Sequence, residues 1–104
     1  MILVTSDDIG GRQIIQTIGL VRGNSARARG IGYDFTAAIR NIFGGAVPEY
    51  ANLITQARDE ATERMVAAAQ EQGADAIVTV RYTTSMVSSG VSEILAFGTA
   101  VKLR

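Results

Sequence analysis

Guanidinium, carboxylate and hydroxyl groups supply most of the chemistry open to this 104-residue chain, which contains neither cysteine nor histidine. Those two absences exclude disulfides, thiolate nucleophiles, imidazole bases and nearly every zinc or copper site. The most suggestive stretch is 24–32, where Arg27 and Arg29 alternate with small residues and Gly30 and Gly32 follow. Two guanidinium forks beside glycine amides could hold a phosphate or carboxylate, with a helix N-terminus at Asp34 alongside. The same stretch also reads as a loop between subunits, its arginines paired with carboxylates of a neighbour. Its glycine spacing matches neither a P-loop nor a dinucleotide fingerprint. Farther along, Arg40 precedes Gly44 and Gly45. That group offers either a second anion site or a cation near the end of a short helix, with the glycines as its stop. The candidate ligand-binding residues are therefore Arg27, Arg29, Arg40, Gly44 and Gly45.

The carboxylates cluster only at Asp7 and Asp8 and at Asp59, Glu60 and Glu63. Asp59 and Glu63 stand one helical turn apart, which suits a weak divalent site or, more simply, a solvated helix face. Arg58 could pair with Asp75 or Glu93 and tie a helix to a sheet. Arg81, in mid-strand, could snorkel to water or line a channel. Thr83, Thr84, Ser85, Ser88 and Ser89 supply hydroxyls but no base, and Lys102 is the sole lysine. No catalytic residue, metal ligand or cofactor follows from these groups. Lys and Arg total 10 against 10 Asp and Glu, and aromatics are 6%, so nucleic acid has neither a basic field nor stacking platforms. No apolar run approaches the roughly 20 residues that span a bilayer. The first eight residues lack a basic leader followed by an apolar run, so a cytoplasmic protein is expected.

The elements that must position these groups fit one domain, residues 1–104, with a single core. A short β-prone run at 2–5 gives way to a turn at Gly10 and Gly11. A strand is expected over 13–22, closed by Gly23, with Gly19 marking a bulge or a close backbone approach. A short helix starts at Asp34 and stops at Gly44 and Gly45. Pro48 then opens a helix of about 25 residues and about 37 Å. Its apolar stripe is Tyr50, Leu53, Ile54, Ala57, Ala61, Met65, Ala68 and Ala69, and Gly73 is its left-handed stop. Two strands close the chain as an antiparallel hairpin around a Ser-rich turn at 86–90. In the first, Ala76, Val78, Val80 and Tyr82 should share one face, with Ile77, Thr79, Arg81 and Thr83 on the other. In the second, Val91, Leu95, Phe97 and Val101 oppose Ile94, Ala96, Gly98 and Ala100. The expected class is α+β: an antiparallel sheet with the long helix on one face, plus the short helix. One helix covers one face of a sheet, yet the last strand is apolar on both, so a second copy should cover the other.

Five blocks carry a resemblance to the YbjQ-like family: 19–23 (Gly-Leu-Val-Arg-Gly), 39–45 (Ile-Arg-Asn-Ile-Phe-Gly-Gly), Tyr50 with Ala57 and Arg58, 73–78 (Gly-Ala-Asp-Ala-Ile-Val) and 98–101 (Gly-Thr-Ala-Val). In order and spacing they span nearly the whole chain. The resemblance implies a dodecin-like β-α-β-β subunit with extra short strands, assembled as a ring and typically a pentamer. The family carries a heavy-metal-binding label, but without thiol or imidazole this chain has only oxygen ligands, which suit Mg²⁺ or Ca²⁺. The functional expectation is a homo-oligomeric binding or scaffold protein, with an anionic small molecule between subunits. Divalent metal binding and an enzyme acting at a subunit boundary are the alternatives.

Overall fold

A computed structural model describes residues 1–25, 47–88 and 91–104. The elements run β1 (Ile2–Leu3), β2 (Ile14–Asn24), α1 (Val47–Glu71), β3 (Ala76–Ser88) and β4 (Val91–Leu103). The strands form one sheet in the order β1-β3-β4-β2. The three long strands are antiparallel, and β1 joins the edge of β3 in parallel. The result is the expected α+β sheet with one helix packed on it. The short helix anticipated after Asp34 lies outside the described residues.

Helix α1 is held down by Ala57, Ala61, Met65 and Ala69, all within 1% of complete burial. Their spacing is a strict four, which keeps them on one face, and three of the four are alanines, so the helix comes close to the sheet around the single large side chain of Met65. The stripe meets Val21 of β2, Ile77 and Val80 of β3, and Ala96 and Ala100 of β4. The C-terminus closes as the glycine predicted. Gly73 has φ +76°, its N–H donates to the Gln70 carbonyl at 3.0 Å, and Ala74 N–H donates to the Ala69 carbonyl at 3.1 Å. That pair of bonds is a Schellman motif, and it satisfies carbonyls the helix would otherwise leave open.

Gly23 does not close β2. It sits inside the strand at the point where α1 touches the sheet: a Cβ built there would fall on Met65 N and Ala61 O, and 2.8 Å from Arg64 C. The missing side chain lets the helix backbone rest on the strand. Gly19 does mark a bulge, with a register shift between Thr17 and Gly19 and φ +142°.

The even alternation expected along β3 is broken. A register shift between Val78 and Arg81 inserts one extra residue opposite β4, and Thr79 there takes φ +54°. Val80 therefore joins Ile77 beneath the helix, while Ala76 and Val78 face the opposite side with Val101 and Leu103. Gly98 makes room for this crowding: a Cβ on it would lie 2.7 Å from Ile77 Cγ2 and 3.0 Å from the Val78 carbonyl oxygen. β3 also runs on to Ser88, through most of the segment expected as a turn.

Candidate functional site

The face of the sheet away from α1 is where the described residues leave chemistry exposed. One end of it is covered by the chain's own amino-terminal segment. Val4 and Ile9 pack on Ala76, Val78, Val101 and Leu103. The segment is strapped to the β3 bulge by Thr79 N–H to the Ser6 carbonyl (2.9 Å), Val80 N–H to the Val4 carbonyl (3.0 Å) and Thr79 Oγ1 to Asp7 Oδ1 (3.0 Å). Arg81 Nη1 completes the strap by donating to the carbonyls of Thr5 and Val80, both at 2.9 Å. Arg81 thus anchors the amino-terminal segment; its exposed guanidinium still faces water.

Beyond the strap the face lies open. The register places Leu20 opposite Thr99, then Arg22 opposite Phe97 with Arg81 on its other side, then Asn24, Leu95 and Thr83 in one row. Leu20 is 66% exposed, and Leu95 and Phe97 are half-buried. Glu93 stands one row farther, opposite Ser85. The patch is apolar at its centre and flanked by arginines, a composition common in contact surfaces.

On the helix side, Arg64 joins α1 to β2: Nη2 lies 2.9 Å from Glu60 Oε1, and Nη1 donates to the Asn24 carbonyl at 3.2 Å. On the opposite flank, Thr62 Oγ1 donates to the Arg58 carbonyl at 2.8 Å and lies 2.7 Å from the Tyr82 hydroxyl of β3. A groove of about 340 Å³ runs along this flank, lined among the described residues by Asp59, Thr62, Glu63 and Val66. Asp59 and Glu63 are exposed, as their spacing predicted.

Several expected pairings resolve differently. Asp75 does not meet Arg58; its Oδ2 accepts the Leu103 N–H at 2.9 Å, and its own N–H donates to the Val101 carbonyl. The carboxylate therefore closes the end of the hairpin instead of tying helix to sheet. Asp7 serves the bulge. Among the described residues no three acidic side chains converge as metal ligands. Arg27, Arg29, Arg40, Gly44 and Gly45 all lie outside the described residues. Sequence reasoning missed the Arg22–Phe97–Arg81 row, because the bulge at Thr79 sets which β3 residue faces Phe97. No helix among the described residues is long and apolar enough to cross a membrane.

The fold and this face define a two-layer α+β subunit whose second sheet face the described residues leave partly open. The sequence matches, over residues 1–104, the YbjQ family described as "putative heavy-metal-binding", and the chain belongs to that family. It is 52% identical over 103 residues to a UPF0145 protein of Photobacterium profundum, covering 99% of this chain and 100% of that one. A UPF0145 protein of Halorubrum lacusprofundi is 47% identical over 104 residues, covering 100% of both chains. One from Methanosarcina acetivorans is 46% identical over 103 residues, covering 99% and 97%. The fold resembles the crystal structure of a protein of unknown function of the DUF74 family from Pediococcus pentosaceus, with a TM-score of 0.63 at 20% identity. That match covers 100% of this chain and 98% of the other.

Proposed function

We propose that the chain works as a homo-oligomeric binding or scaffold protein, built as a ring, that holds an anionic small molecule between subunits. The observation that carries this reading is the open sheet face, where Leu20 is 66% exposed beside half-buried Leu95 and Phe97. Strand β2 supports it, since no described strand pairs with its outer edge, and an unpaired strand edge invites a partner. Covering such a face takes about 800 Å² per subunit, the ordinary scale of a specific contact. The family resemblance suggests a pentamer. Arg27, Arg29 and Arg40, with the amides of Gly44 and Gly45, are the groups suited to an anion at the subunit boundary. Native mass spectrometry before and after mild activation tests both parts. A mass near five subunits with a small acidic adduct supports the proposal; a bare ring removes the ligand, and a species of 11.0 kDa alone removes the assembly.

The family's description raises metal binding as a second reading. With oxygen ligands alone, any ion held here is a hard one such as Mg²⁺ or Ca²⁺. Calorimetric titration with Zn²⁺, Cu²⁺ and Mg²⁺ separates the cases, and micromolar uptake of Zn²⁺ or Cu²⁺ would overturn this assignment.

A further inference from the structure

We infer that the subunits overlap head to tail, with Leu20 and Arg22 of one copy seated on the Asp59–Glu63 flank of α1 in the next. The inference rests on the assembly reading above and names the surfaces that would meet. Leu20 and Arg22 stand two residues apart on the outer strand β2, so both point to the open face, about 7 Å apart. Asp59 and Glu63 stand four apart on α1, at a comparable spacing of about 6 Å. Thr62 and Val66 line a groove with them, which offers a partly apolar seat beside two carboxylates. Arg22, Asp59 and Glu63 are all exposed, and none makes an ion pair with another of the described residues. The match is a leucine for the groove and a guanidinium for the carboxylates.

The position of the two surfaces decides the symmetry. Arg64 marks the β2 side of the helix by reaching Asn24, whereas Thr62 marks the β3 side by meeting Tyr82. Asp59 and Glu63 stand between these flanks, opposite the buried stripe, so the donor surface is on the open face of the sheet and the acceptor on the outward side of the helix. A contact between two such different patches is heterologous and propagates, closing as a ring when the rotation allows. A two-fold contact of open face on open face, centred on the Phe97 row, would instead set Arg22 and Arg81 against their own copies. Among the described residues, Glu93, two rows from Phe97, and Asp7, held by Thr79, are carboxylates in or beside that face; one is distant from the row and the other is engaged. Like charges placed together across an interface disfavour that pairing.

Charge reversal in the full chain tests the inference by sedimentation velocity over a range of concentrations. Arg22→Glu and Glu63→Arg, each alone, should raise the concentration for half-dissociation by about tenfold or more. The double variant restores the pair in every contact and should return to within about threefold of the parent. Leu20→Ser probes the apolar half independently of charge and should also weaken assembly, while Glu71→Arg, outside both surfaces, should not. Far-UV circular dichroism confirms that each variant is folded. An assembly indifferent to both reversals, or a double variant no better than the singles, overturns the head-to-tail contact and leaves oligomerisation standing. A parent chain that is monomeric throughout removes both.

Discussion

Replacing Gly23 by alanine is the sharpest test of how α1 sits on the sheet. The new methyl would meet backbone atoms of three helix residues, Ala61, Arg64 and Met65, and no flexible side chain that could swing away. An ordinary carbon contact needs at least 3.4 Å, and the most distant of the three atoms is at 2.8 Å. Relief therefore requires the helix to lift by well over half an ångström along its alanine seam. Overpacking of this kind costs about 1–3 kcal/mol. Full burial of Met65 or Val21 is worth about 1.5–3 kcal/mol each, so losing a fraction of both gives a figure near the top of that range. At about 4–8 °C per kcal/mol for a domain of this size, the melting temperature should fall by roughly 10–20 °C. Thermal unfolding followed by circular dichroism at one fixed protein concentration measures it, since any assembly makes the midpoint concentration-dependent. Gly10→Ala is the control, because a Cβ there meets nothing within 4 Å. A Gly23→Ala melting temperature within about 2 °C of the parent would mean that the helix does not rest on β2 as described.

Gly98→Ala should cost less, about 1–2 kcal/mol by urea unfolding, because Ile77 Cγ2 can yield somewhat even though the Val78 carbonyl cannot; a neutral result would place the β3 bulge elsewhere. Thr79→Asn should be neutral or stabilising by up to about 1 kcal/mol, since asparagine tolerates φ +54° better than a β-branched residue and keeps a donor for Asp7. A loss above 1 kcal/mol would show that the threonine conformation is not strained. Tyr82→Phe should cost about 0.5–1 kcal/mol through the lost hydroxyl contact with Thr62, and hydrogen exchange at the helix flank should rise with it. Treatment with EDTA, which strips hard ions as well as soft ones, should leave the melting temperature unchanged, because no three acidic side chains converge among the described residues; a fall of several degrees would favour the metal reading.

Most of the scaffold was legible from local pattern. The four-residue repeat from Ala57 to Ala69, the Pro48 start and the Gly73 stop fixed α1 within a residue or so, because each acts through local backbone geometry. The faces of β4 were read correctly for the same reason: no register shift interrupts the strand where it meets β2 at Gly19–Asn24. β3 was misread because one inserted residue reverses every face beyond it, and a bulge leaves no trace in an alternating sequence. Gly23 reads as an end in the sequence because a glycine after a β-branched run usually is one; that it faces an alanine-rich helix is visible only once the two are packed. The candidate anion residues were chosen by composition, from Arg27 to Gly45. The open-face arginines, Arg22 and Arg81, come from strands far apart in sequence, and only pairing with β4 aligns them.

The Thr62–Tyr82 contact has a direction, set by counting protons. Thr62 Oγ1 carries one hydrogen, and it goes to the Arg58 carbonyl. The hydrogen between Thr62 and Tyr82 must then come from the phenol. Tyrosine is therefore the donor in this link for as long as Thr62 serves Arg58. An oxygen capped by a phosphoryl group has no hydrogen to give and could not make it. One tie between α1 and β3, beside the buried cluster of Met65, Ile77 and Val80, thus runs through a single phenolic hydrogen at a half-exposed position.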